Sequence, residues 1–152
     1  MGKRRGKKRI IIVIVICLAV AALAITVFHK PSITQYEDDF GFSLGKISAK
    51  TLDHYHHDDF RDSLTIYRVN VTGNIEGSIF DRNTMADGLS ESAKVLLGEA
   101  AELTEGKRGF EDLGTMDPHS LRSIELEAVN TDAQLYIIYY GEDNDYLVIW
   151  NG

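Results

Sequence analysis

Apolar residues follow three different rhythms along this chain. From Ile10 to Phe28, "IIIVIVICLAVAALAITVF", 19 residues pass without a charge. As a helix this run spans roughly 28 Å, close to the hydrocarbon thickness of a bilayer. Its β-branched residues are no obstacle, because in lipid every backbone group must be bonded within the segment. The second rhythm is helical. "SESAKVLLGEAAEL" offers Ser90 as an N-cap and sets Leu96, Leu97, Ala100 and Leu103 on one face, with Gly106 near the expected stop. The third rhythm has period two. In "SIELEAVN", Ile124, Leu126 and Ala128 face one way, and Ser123, Glu125 and Glu127 the other, which predicts a half-buried strand. "AQLYIIYYG" is apolar on both faces, with Leu135, Ile137 and Tyr139 opposite Tyr136, Ile138 and Tyr140, as a central strand requires. "DYLVIWNG" follows the turn "GEDND", so the last two strands should form a hairpin, and "NTDA" links the first two of the three.

Weaker patterns fill the rest. "DSLTIYRVNVTG" is rich in β-formers and ends at Gly73, so it reads as a strand. "NIEGSIFDR" predicts a short helix, capped by Asn74, with Ile75 and Ile79 four apart. A short strand is expected around Ser43 to Lys50. "DHYHHDDF", Asp53 to Phe60, reads as a loop, and so does the stretch from Gly106 to Arg122. Pro31 blocks continuation of the apolar helix, and residues 29–42 read as a linker. The expected class is α+β: a transmembrane helix, then a small domain whose antiparallel sheet ends in a three-strand meander covered by one or two helices. The boundaries are a basic tail at 1–9, the span at 10–28, the linker at 29–42 and the domain at 43–152.

Charge gives this layout an orientation. The tail "MGKRRGKKR" holds six Lys or Arg and no acid, whereas the rest has 10 basic against 23 acidic residues, a net of −13. Basic flanks stay cytoplasmic, so the N-terminus is expected inside and the domain outside, as a signal-anchor would leave them. The tail suits anionic headgroups. A cleaved signal peptide is the competing reading, with "ALA" at Ala22 to Ala24 as its cleavage site and a secreted domain as its product. Cys17, the only cysteine, lies inside the apolar run, so the outer domain can form no internal disulfide and must be held by its core. The acidic balance argues against nucleic acid as a partner. A cationic ligand or an envelope protein suits it better, and the acid also serves solubility.

Candidate chemistry centres on "DHYHHDDF". If extended, this stretch sets His54, His56 and Asp58 on one side, and two imidazoles with a carboxylate suit zinc. The His-x-His-x-Asp spacing is similar to the metallo-β-lactamase motif, but Asp59 stands where that motif continues with histidine, and His119 is the only later histidine. No cofactor is therefore expected, with a divalent metal such as zinc as the alternative. Imidazoles beside Asp58 and Asp59 also allow a pH-sensitive loop. There is no Gly-rich phosphate loop and no Gly-x-Ser-x-Gly elbow. "NVT" at Asn70 is a glycosylation sequon on a predicted strand.

Helices that cover one face of a sheet leave the other open. Tyr136, Tyr140, Tyr146 and Trp150 are accordingly candidates for an aromatic partner-binding surface, unless residues 36–50 cover them. "DHYHHDDF" leading into "SLTIY", together with "LYIIYYGEDNDYLVIW", resembles small uncharacterised membrane-anchored extracytoplasmic proteins of Gram-positive bacteria. The resemblance implies an N-terminal anchor, a His- and Asp-containing stretch before a strand, a helix and a Tyr-rich C-terminal hairpin. It brings no activity with it. Two functional expectations remain: a displayed, non-catalytic module that binds an envelope component, and a metal-dependent site, catalytic or sensory, on His54, His56 and Asp58.

Overall fold

The period-two segments near the C-terminus form strands. In the computed structural model, β4 spans Arg122–Glu127, β5 Gln134–Tyr139 and β6 Asp145–Asn151, each antiparallel to the next. The structure describes residues 32–59, 63–141 and 143–152. The basic tail, the apolar run at 10–28, Cys17 and the cleavage site at Ala22 to Ala24 lie outside them. Among the described residues no helix is long and apolar enough to cross a membrane.

The meander is half of a larger sheet. β2, Ser63–Thr72, pairs with the far side of β6 with Tyr67 opposite Val148. A two-residue β3, Ala86–Asp87, borders β4, and the order is β1-β2-β6-β5-β4-β3. The expected α+β class with an antiparallel sheet is observed, and β5 is buried on both faces as its sequence requires.

The histidine stretch is not a loop. It belongs to β1, Ser48–Asp58, an 11-residue edge strand on β2. The reason is tertiary: β2 is buried along most of its length, and without β1 a whole row of its backbone groups would lack partners. Register slips by one residue between Thr51 and Asp53, so Leu52 is the extra residue of a bulge. Before the slip, Ala49 and Thr51 oppose Val71 and Val69; after it, His54 and His56 oppose Tyr67 and Thr65. Because side chains alternate with period two, this single insertion moves His54 and His56 onto the face they would otherwise point away from.

Both faces of the sheet are covered. On one, α2 (Glu91–Leu103) inserts Ala93, Leu96, Leu97 and Ala100 against Leu64, Ile66, Tyr136, Ile138, Leu147 and Ile149. Ser90 caps it as expected, its hydroxyl accepting from the Ala93 N–H at 3.1 Å. Turns carrying Phe110, Leu113 and Leu121 complete this layer.

The other face corrects the linker reading. A 3-10 turn, Ile33–Tyr36, runs directly into a one-turn helix α1, Glu37–Phe40, and buries Ile33, Tyr36, Phe40 and then Leu44 against Tyr67, Val69, Ile137, Tyr146 and Val148. The domain therefore begins by Ser32 rather than at 43. A four-residue helix has no stability of its own. Burial of three large side chains, each worth about 1.5–3 kcal/mol at most, holds this lid in place.

The short helix expected at Asn74 to Arg82 is a chain of turns instead. Gly77 sits at φ 72, outside helical space, and the Asp81 carboxylate accepts from the N–H groups of Gly77 and Asn83. These turns deliver Phe80, fully buried, to the lid-side core, where its carbonyl accepts from the Tyr146 hydroxyl at 2.6 Å.

Candidate functional site

His54, His56 and Asp58 do share one side of β1, as the spacing predicts, but each is engaged with its own cross-strand neighbour. The His54 ring lies 5.0 Å from that of Tyr67, His56 Nδ1 is 2.8 Å from Thr65 Oγ1, and Asp58 accepts from Ser63 at 2.8 Å. An extended strand rises about 3.3 Å per residue, so positions four apart are separated by roughly 13 Å. Ligands of one tetrahedral zinc must each come within about 2.0–2.3 Å of it. The alternation that aligns the three side chains thus also holds the outer two apart. Among the described residues no group of three or more His, Cys, Asp or Glu is placed to hold a metal ion. His119 follows Asp117 in a tight turn, where its backbone N–H donates to the Asp117 carboxylate.

The four aromatic candidates do not form one surface. Tyr136 and Tyr140 lie under α2 and its flanking turns, whereas Tyr146 and Trp150 lie under the lid. Tyr136 is buried and its hydroxyl donates to Gln134. Tyr140 accepts from Arg68 Nε at 2.7 Å, with the guanidinium over its ring. Tyr146 is fully buried against Phe80, and burial pushes its phenol up to about 12. Neither Tyr136 nor Tyr146 is available to a partner, because the two covers take the two faces that strand alternation separates. Asn70, the sequon residue, is also occupied: its amide donates to the Asp143 carbonyl and the Asp145 carboxylate.

What the fold does assemble is a groove of about 520 Å³ between the lid and strands β1, β2 and β6. The lid supplies Gln35, Tyr36 and Asp39; the sheet supplies His54, His56, Thr65, Tyr67 and Trp150. The Trp150 indole stacks on Tyr36, with ring centroids 6.0 Å apart and planes inclined by 16°. The Tyr67 hydroxyl accepts from Gln35 Nε2 at 2.6 Å and lies 3.0 Å from the Tyr36 hydroxyl, tying lid to sheet. Burial, then the hydrogen bond with Tyr36, pushes the Tyr67 phenol upward, so it stays neutral. Partial desolvation of the His54 ring, packed on one side against Tyr67, lowers its pKa, and the neighbouring His56 lowers it further. An imidazole usually titrating near 6.5 is therefore uncharged at neutral pH.

Three polar groups at this groove make no hydrogen bond to another described residue: the His54 ring, the Asp39 carboxylate and the Trp150 indole N–H. Sequence reasoning found His54, His56 and Trp150 and allowed residues 36–50 as a cover, but read 29–42 as a linker and so missed that the lid starts at Ile33. The signal was there, since Ile33, Tyr36 and Phe40 stand at helical spacing within the stretch read as linker.

The fold and groove define a class: an α+β domain with a six-stranded antiparallel sheet covered on both faces and an aromatic groove under one cover. In comparison with known proteins, the chain matches no family model, no curated protein and no solved structure at a significant level.

Proposed function

We propose that this chain is a single-pass membrane-anchored binding module, its basic tail cytoplasmic and its domain displayed outside the cell, where it holds a component of the envelope. The apolar run at 10–28 and the charge contrast around it support the anchor and the orientation. The observation that carries the binding role is the groove, where a half-buried indole and two uncommitted polar side chains face one open volume. Such a mixture of apolar wall and few placed polar groups is the usual make-up of a ligand site. Binding is favoured over catalysis by the state of the one hydroxyl bonded to an imidazole there. Thr65 is only 4% exposed, so the His56–Thr65 pair ties two strands together and offers no accessible nucleophile.

Two measurements test this reading. Protease added to intact cells should remove the domain while the basic tail stays protected; the reverse pattern inverts the topology. Trp150 is the only tryptophan, so its quenching by acrylamide reports on the groove in the full chain. A solubilised envelope fraction should shield it, and Asp39→Lys should abolish the shielding. Quenching indifferent to the envelope fraction would remove the binding role.

A further inference from the structure

We propose that the groove binds a neutral saccharide chain. The inference rests on the binding-module reading above and narrows it to one ligand chemistry.

Charge excludes the first alternative. Among the described residues no Lys or Arg lines the groove, Asp39 stands at its rim, and residues 10–152 carry a net −13, so an anionic polymer would meet repulsion. A cation would be drawn by Asp39 and by aromatic faces. It cannot accept a hydrogen bond, however, and the uncommitted groups include donors. The Trp150 indole N–H is a donor only, and the neutral His54 imidazole carries one N–H beside one acceptor nitrogen. A bound cation would leave those N–H groups facing positive charge.

A sugar hydroxyl meets both demands. It donates to the Asp39 carboxylate or to the free imidazole nitrogen, and it accepts from the indole or imidazole N–H. The other half of the match is apolar. Pyranose rings present a flat C–H face, and the Trp150 indole, held flat by its stack on Tyr36, supplies the surface for it. Tyr36 is itself fixed by Phe40 at 6.1 Å and by its hydroxyl contact with Tyr67, so the platform is organised before any ligand arrives. The groove is open along its length rather than enclosed, and its volume admits more than one ring. It therefore suits an internal stretch of a chain rather than a single small molecule.

The test uses the full chain in a polyoxyethylene detergent, which has no sugar headgroup. Trp150 emission is followed during titration with tetra-N-acetylchitotetraose, with cellotetraose, with tetralysine and with tetragalacturonate. A neutral tetrasaccharide should give a saturable blue shift, and neither charged tetramer should. Asp39→Asn and His54→Ala should each weaken binding about tenfold, the usual loss for one ligand hydrogen bond. Both side chains are exposed, and unchanged ligand-free Trp150 emission verifies that the lid remains seated. Unchanged emission with both neutral sugars into the millimolar range overturns the proposal, as does tighter binding of a charged tetramer or parent-like affinity in both variants. If the envelope fraction shields Trp150 while neither sugar binds, the ligand class falls and the binding module stands. If neither has an effect, both fall.

Discussion

Replacing Ile33 with alanine asks whether the segment before residue 43 is tether or core. Ile33 is 0% exposed and packs in the cluster that joins the lid to β2, β5 and β6. Truncating a buried isoleucine to alanine removes the transfer energy of its lost carbons and leaves a cavity, at a cost of about 2–5 kcal/mol. A one-turn lid at the domain's edge can partly collapse into the space, so the lower half of that range, about 2–3 kcal/mol, is expected here. Set against a typical total stability of about 5–15 kcal/mol, this is a large loss. Urea unfolding of the full chain in mild detergent, followed by Trp150 emission, measures it directly, because the indole stacks on Tyr36 of the same lid. With a slope of about 1–3 kcal/mol per molar urea, the midpoint should fall by about 0.7–3 M. Thr34→Ala, at an exposed position of the same turn, is the control and should stay within about 0.5 kcal/mol of the parent. Equal midpoints for the two variants would mean that Ile33 contributes no packing and that 29–42 is a linker after all.

Two further outcomes follow from the geometry. Gly109 adopts φ 88, and a Cβ there would run into the carboxylate of Asp53, so Gly109→Ala should cost about 1–3 kcal/mol in thermal melts. Adding Asp53→Ala should recover the steric part but not the backbone strain; a single variant as stable as the parent refutes the close approach. The second concerns pH. His54 titrates below its usual 6.5 in the folded state, so the unfolded chain takes up the proton first as pH falls. Stability should hold above about pH 6.5 and decline through that value toward the lower folded pKa. Urea midpoints between pH 7.5 and 5 should show less of this decline in His54→Asn, and an identical slope would exclude His54 as its source.

Much of the fold is legible wherever a segment's own rhythm coincides with its surroundings. β5 reads as central because its residues are apolar on both sides, and it is buried on both. α2 reads as a helix capped by Ser90 because cap, apolar stripe and stop all agree, and the structure keeps the cap and ends the helix at Leu103, the last residue of that stretch. The assignment of Tyr136 and Tyr140 to one face and Leu135, Ile137 and Tyr139 to the other follows from alternation alone. In the candidate site, the common side of His54, His56 and Asp58 was readable only on the condition that the stretch be extended, whereas its own rhythm read as a loop.

Tertiary structure decided what local rhythm leaves open. Nothing in "DHYHHDDF" prefers a strand; β2's need for an edge partner makes it one, and the Leu52 bulge then selects the face on which its histidines stand. The lid is too short to be a helix by itself and exists because the second face of the sheet must be covered. That cover removes the open aromatic surface and creates the groove in its place, since the lid's edge cannot reach over His54, Thr65 and Trp150 together. Periodicity fixes which side chains share a face. Only the packing of one element against another fixes which of those faces meet, and which remain in contact with solvent.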